Sequence, residues 1–169
     1  MNAAEAQTVA TEEQIRADLA DLRDPEIPIL TLDDLGIIRW VRATEDGVTV
    51  GVAPTYTGCP ATEVIEASVL ERLRQRGYPN PATERVLAPP WTTDWISETG
   101  LSKLKDYGRA PPAASGWKCA LFGAPAVIFR CPRCDSGKTT RVSEFGSTPC
   151  KASYKCDDCL EPVDYFKCI

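Results

Sequence analysis

Cys131-Pro-Arg-Cys134 and Cys156-Asp-Asp-Cys159 are two CxxC pairs in a chain of 169 residues without a single histidine. Structural zinc takes its ligands from cysteine and histidine. A tetrahedral site here must therefore use four thiolates: Cys131, Cys134, Cys156 and Cys159. The interval of 21 residues between Cys134 and Cys156 suits two metal-binding turns on facing β-hairpins, a zinc ribbon. Iron accepts the same S₄ set and would make the ribbon a rubredoxin-like electron carrier; structural zinc is the favoured reading. Cys150 lies six residues before Cys156, which does not fit a metal-binding turn, so it is left out of the ligand set. The role of Cys168 stays open.

Cys59 is the second candidate. It stands between Gly58 and Pro60, and proline suits the first position of a helix. That places Cys59 at or beside the helix N-cap, where the positive end of the helix dipole favours a thiolate able to act as nucleophile or soft metal ligand. Gly58 would let the backbone approach a ligand closely. A small buried cysteine is the equally weighted alternative. Asp24 and Glu26 form a carboxylate pair on a proline-stiffened loop. They could support a metal near Cys59, although cap and turn chemistry is the commoner use of such residues.

The elements that must position these groups read as α-β-β-α-β-α. Thr11 caps a helix with Ile15, Leu19 and Leu22 on one face, ended by the Asp24-Pro25 step. Thr31 to Gly36 reads as a helical turn closed by its glycine. Residues 37–41 and 48–52 read as strands joined by a hairpin at Glu45-Asp-Gly47. A helix covers roughly 60–76, with Ala61, Ile65, Val69 and Leu73 at i+4 steps, and 83–88 is a third strand. Trp91 to Ile96 opens one or two short helical turns reaching Tyr107. The fold class is α+β: a small mixed sheet packed with helices, followed by a small all-β ribbon. Domains are expected at 11–107 and 119–169, with 108–118 as a linker by composition. In the second domain 126–130, 139–144 and 151–155 alternate like strands. So short a segment cannot bury an adequate core, so the metal is expected to supply folding energy. Trp91, Trp95 and Trp117 are expected as core or partner-facing anchors.

Composition narrows the functions. The net charge is −5. Residues 1–118 carry the acidic excess, and no segment has the basic face that a phosphate backbone requires. Nucleic acid is therefore not an expected partner. The N-terminus lacks a signal-peptide apolar core, and no run is long enough to span a membrane. A cytoplasmic protein with reduced thiols is expected. Without histidine there is no Ser-His-Asp triad, HExxH motif or carboxylate–histidine di-iron site, and no phosphate-binding glycine loop is present.

Asp24-Pro-Glu-Ile27, Asp34-Leu-Gly-Ile37 and Thr55-Tyr-Thr-Gly-Cys-Pro60 resemble the iron–sulfur assembly domain of cytosolic and SUF-associated cluster-maturation factors. Pro90-Trp-Thr-Thr-Asp-Trp-Ile96, Phe145-Gly-Ser-Thr-Pro-Cys-Lys151 and Glu161-Pro-Val-Asp-Tyr-Phe-Lys-Cys-Ile169 resemble the PaaD (PaaJ) family of phenylacetyl-CoA oxygenase subunits. The resemblance covers nearly all of the chain beyond its first ten residues. It implies that Cys59 is the functional thiol, holding iron or an iron–sulfur cluster transiently, and that Asp24 is the family's acidic position. It further implies a non-catalytic accessory subunit of bacterial phenylacetate degradation, helping to mature the [2Fe–2S] cluster of the epoxidase's reductase. Its partners would be reductase or oxygenase subunits. An electron-transfer protein and a purely structural subunit are the alternatives. A homodimer is compatible with the first domain but not fixed by the sequence.

Overall fold

The computed structural model describes residues 10–56, 58–112 and 129–167. Helix α1 (Glu12–Leu19) begins at Thr11, whose hydroxyl accepts from the Gln14 N–H while the Gln14 side chain accepts from the Thr11 N–H. This reciprocal capping box satisfies two donors that the helix cannot. The helix stops one turn before the Asp24-Pro25 step: Ala20 donates to Ala17 O and Leu22 to Leu19 O, tightening the end into 3₁₀-type turns. Thr31–Gly36 is a turn, closed by Gly36 at a φ of +64°.

Strands β1 (Ile38–Ala43) and β2 (Val48–Val52) form an antiparallel hairpin, with a register shift between Ile38 and Trp40. Helix α2 (Ala61–Gln75) then crosses over, and β3 (Ala82–Arg85) pairs with β2 in parallel. The crossover is the kind of connection that parallel pairing demands. Ala61, Ile65, Val69 and Leu73 are all buried, as the i+4 stripe predicts. β3 ends earlier than expected, although Val86 donates one more bond to Val52 O. A 3₁₀ turn (Thr93–Trp95) and α3 (Glu98–Asp106) complete the first unit. Asp34 fastens α3 to the body: it accepts from Lys103 Nζ at 2.6 Å and from Ser97 Oγ at 3.2 Å. The expected α+β order, with its mixed sheet, is what the structure shows.

The second sheet is antiparallel, in the order β4 (Thr139–Ser143), β5 (Lys151–Cys156), β6 (Pro162–Phe166). β6 is missing from the sequence reading. Pro162 and Asp164 are poor strand residues, and Pro162 is tolerated because it opens a strand at the sheet's edge. Of the strand expected at 126–130, residues 126–128 lie outside the described residues, and 129–130 are not in a strand. Of the expected linker, 113–118 likewise lie outside them, as does Trp117. Ala110 is fully buried and runs beside β6: its N–H donates to Asp164 O at 3.0 Å, and its carbonyl accepts from Phe166 at 3.1 Å.

The two sheets do not keep separate cores. The ribbon has its own small cluster, in which Phe129 stacks on Tyr165 with ring centroids 5.1 Å apart. Cys150 and Phe166 instead join the main core. Phe166 lies 6.4 Å from the buried Trp91 ring, whose Nε1 donates to Leu35 O at 2.8 Å. Truncating a buried phenylalanine typically costs about 3–5 kcal/mol. Phe166→Ala should therefore destabilise both units together, lowering a single thermal transition followed by tryptophan fluorescence. A separate, unshifted transition for the helical unit would show that the ribbon contributes nothing to its stability.

Candidate functional site

The two CxxC segments fold as matching turns. Asp135 donates to Cys131 O at 2.8 Å and Leu160 to Cys156 O at 3.0 Å. Each turn is closed by a left-handed residue, Asp135 at φ 59° and Leu160 at φ 63°. Cys131 donates to Ser136 O, and Cys156 to Glu161 O, repeating the same pattern. The first turn precedes β4 and the second joins β5 to β6. Together they bring the four sulfurs within 4.8 Å of one another. Cys131 Sγ is 3.8 Å from Cys159 Sγ, and Cys134 Sγ is 3.6 Å from Cys156 Sγ. An ion with four sulfurs at 2.3 Å in a tetrahedron requires S–S edges of about 3.8 Å, so the donor set fits a single S₄-bound ion. The Cys159 N–H leads in drawing Cys156 down to about 7. At Cys134 the Ser136 N–H acts downward, but desolvation and the three neighbouring thiols outweigh it and push the group up to about 12. Four such neighbours can all be thiolates only around a cation.

The second site lies where the ribbon meets the helical unit. A cavity of about 20 Å³ is lined by Asp24, Glu26, Cys59 and Cys150 among apolar neighbours such as Ile65 and Phe166. Cys59 sits just before the helix: Pro60 is the N-cap of α2, and Thr62 donates to Cys59 O at 3.1 Å. Its sulfur is 3.9 Å from Thr55 Oγ1, and the residue is 9% exposed. Gly58 has a φ of +82°, the left-handed region that favours glycine, and a side chain there would meet no atom within 4 Å. Its value here is conformational.

Asp24 combines the two uses considered for it. Its Oδ1 accepts from Glu26 N at 2.9 Å and from Ile27 N at 2.7 Å, holding the Pro25 loop as an Asx turn, and the residue also lines the cavity. Burial raises its pKa, against the pull of those two N–H groups and of Lys151 and Arg109. Glu26 is raised by burial and then by Asp24, and Cys150 chiefly by burial. Cys150, set aside in the sequence reading, is the residue that reasoning missed. It is absent from the ribbon's sulfur cluster, yet its Sγ lies 3.9 Å from Glu26 Oε2. Its pairing with Glu26 is tertiary, and only its place in the Phe145–Lys151 motif marked it. Cys168 lies outside the described residues.

Comparison with known proteins places the chain. Residues 12–82 match the family described as iron-sulfur cluster assembly protein, and residues 121–167 the PaaD zinc beta ribbon domain. An Escherichia coli (strain K12) protein named for a component of 1,2-phenylacetyl-CoA epoxidase is 47% identical over 156 residues, 92% of each chain. The chain belongs to the PaaD family of phenylacetyl-CoA epoxidase components. A stretch of 96 residues is 34% identical to a Porphyromonas gingivalis (strain ATCC BAA-308 / W83) Fe-S protein maturation auxiliary factor, covering 56% of this chain and 90% of that one. The chain also resembles the crystal structure of a domain of unknown function, DUF59, from Bacillus anthracis. That likeness has a TM-score of 0.52 at 25% identity and covers 55% of this chain and 90% of the other. Among the described residues no helix is long and apolar enough to cross a membrane.

The raised Asp24 carboxyl has a pH signature. The folded chain holds this proton more tightly than the unfolded chain, whose carboxyl titrates near its ordinary value of 3.8. Stability from this group is therefore greatest below that value and is lost as pH rises through the folded pKa. Asp24→Asn keeps an oxygen for the Asx turn and removes the titration. The variant should gain stability relative to the wild type as pH rises above the ordinary carboxyl value of 3.8, measured by urea unfolding. A difference that stays flat or falls as pH rises from there would refute the assignment.

Proposed function

We propose that this chain is a non-catalytic maturation factor of the phenylacetyl-CoA epoxidase system, assisting iron–sulfur cluster assembly on the reductase component. The observation that carries this reading is the placement of the Cys59 thiol in a small cavity with Asp24 and Glu26, at the start of α2. A soft sulfur beside hard carboxylates suits transient holding of iron or a nascent cluster. The family matches and the maturation-factor relative support the same direction. The chain has no histidine, so it lacks the ligands of the carboxylate–histidine di-iron sites used in oxygenases.

In this reading Cys131, Cys134, Cys156 and Cys159 hold one structural zinc. Zinc bound there supplies folding energy and no chemistry, because all four positions are taken by protein sulfurs. The organisation is a maturation domain at 11–107, a connection at 108–118 and a ribbon at 119–169. The protein works in the cytoplasm on protein partners, the reductase or oxygenase subunits, as a monomer or homodimer.

Two measurements test this. Elemental analysis of the purified chain should give one zinc and no visible absorbance, with zinc lost in Cys131→Ser and kept in Cys59→Ser. A coloured protein with iron in the four-sulfur site would make it an electron carrier instead. In cells, Cys59→Ser should lower cluster occupancy of the co-expressed reductase by about tenfold or more, the scale of losing a metal-site residue. Undiminished cluster loading sinks the maturation mechanism.

A further inference from the structure

We propose that Lys151 is a positioning residue for the Cys59 site: from the ribbon, its ammonium pins the Asp24–Ile27 loop of the helical unit and keeps that site closed. The pin stands on geometry alone; its use in cluster delivery rests on the maturation reading.

Lysine is almost never buried without a charged partner, yet Lys151 opens β5 at only 2% exposure. Among the described residues no carboxylate forms an ion pair with it. Its Nζ donates instead to two neutral oxygens, Glu26 O at 3.4 Å and Ser147 Oγ at 3.3 Å. Burying a charge on such terms is costly, so stability does not account for a lysine here. The contact with Glu26 spans 125 residues of sequence. It lands on the loop in which Asp24 Oδ1 already holds the Glu26 and Ile27 N–H groups.

The Phe145–Lys151 segment is built to deliver it. Gly146 donates to Lys151 O at 2.8 Å and Lys151 to Thr148 O at 3.0 Å, closing the segment on itself. A Cβ at Gly146 would lie 3.1 Å from Lys151 Cβ, so glycine gives the turn room to close. Ser147 supplies the second oxygen for the ammonium. Thr148 Oγ1 lies 3.0 Å from the Cys150 sulfur, and Lys167 donates to Cys150 O at 2.9 Å. On the outer side the Lys167 ammonium sits 4.4 Å from the centre of the Phe145 ring. This segment is one of the motifs that carried the resemblance, and the four-sulfur cluster gives no reason for its lysine.

Glu26 is gripped at both ends by one turn of the ribbon. Cys150 Sγ lies 3.9 Å from its Oε2, while Lys151 holds its carbonyl. Glu26 and Asp24 line the cavity with Cys59, so the position of their loop sets how far that thiol is covered. Burial raises Asp24, Glu26 and Cys150, and Lys151 acts on all three in the opposite sense, as a nearby cation must.

The experiment uses the full, zinc-loaded chain, with iodoacetamide labelling of Cys59 and Cys150 read by mass spectrometry and urea unfolding in parallel. Lys151→Met keeps a long, buried side chain and removes the ammonium. Losing a hydrogen bond from a charged donor corresponds to about tenfold in a local opening equilibrium, so both thiols should label about tenfold faster. The urea midpoint should hold or rise, because a buried charge has given way to an apolar group. Lys151→Arg keeps the charge and the donors and should label close to the wild type. In cells, Lys151→Met should lower cluster occupancy of the co-expressed reductase about tenfold, and Lys151→Arg should not. Unchanged labelling in Lys151→Met overturns the pin. So does a midpoint that falls in step with faster labelling, which marks the lysine as structural only, and so does Lys151→Arg labelling as fast as Lys151→Met. Faster labelling with undiminished cluster loading, where Cys59→Ser abolishes loading, overturns the positioning role. If Cys59→Ser also leaves loading intact, the maturation reading falls and labelling alone decides the pin. Should Lys151→Met fail to fold, hydrogen exchange of the wild type decides. The Glu26 and Ile27 amides should exchange as slowly as those of β5, and fast exchange there overturns the proposal.

Discussion

A β-ribbon of this size cannot bury enough apolar surface to hold itself together, and the rest of the structure follows from how that deficit is met. Part is met by drawing four thiols into one S₄ cluster, where a bound ion adds its binding energy to folding. The other part is met by the neighbouring domain. Phe166 and Cys150 leave the ribbon's own face and enter the main core beside Trp91. Ala110 lies along the open side of β6, giving that edge the backbone partner it would otherwise lack. Docking is thus a folding requirement of the ribbon before it is a functional feature.

That requirement fixes what faces the start of α2. The segment before β5 must turn toward the helical unit, and in doing so it carries Cys150 to Glu26 and buries Lys151 to 2% exposure. The result is a small, largely apolar-walled space lined by two thiols and two carboxylates. Burial is unfavourable for the charged forms of Asp24, Glu26 and Cys150, which is why all three shift upward. Asp24 offsets part of this cost through the two backbone donors of its Asx turn. The turn is therefore both a loop device and a way of keeping a carboxylate at the wall of the cavity.

Much of this was legible in the sequence wherever the signal was local. Thr11 announced a helix start, and the i+4 stripe from Ala61 to Leu73 announced α2 and its buried face. The two CxxC pairs declared their own cluster because each pair sits within one turn. Long-range relations were not legible. β6 was hidden by Pro162 and Asp164, residues that argue against a strand unless its place at the sheet edge is known. Cys150 was set aside by a spacing argument that was sound for the ribbon site and silent about any other. Asp34 belongs to one of the motifs that carried the resemblance, and in the fold its carboxylate binds Lys103 and Ser97, fastening α3.

The two places where thiols gather differ in how their geometry is fixed. In the ribbon, backbone geometry alone sets the sulfurs at tetrahedral edges, and two near-identical turns fix them on both sides. Four protein sulfurs around one ion would leave it no vacant position. At the domain junction the thiols and carboxylates come from three separate segments, around Glu26, Cys59 and Cys150, and no single turn constrains them. Their spacing is set instead by how the ribbon packs against the helical unit, through Phe166 and Cys150 in the main core. The ribbon cluster is thus a local device of two turns, whereas the junction is a tertiary one that exists only through the packing of the two units.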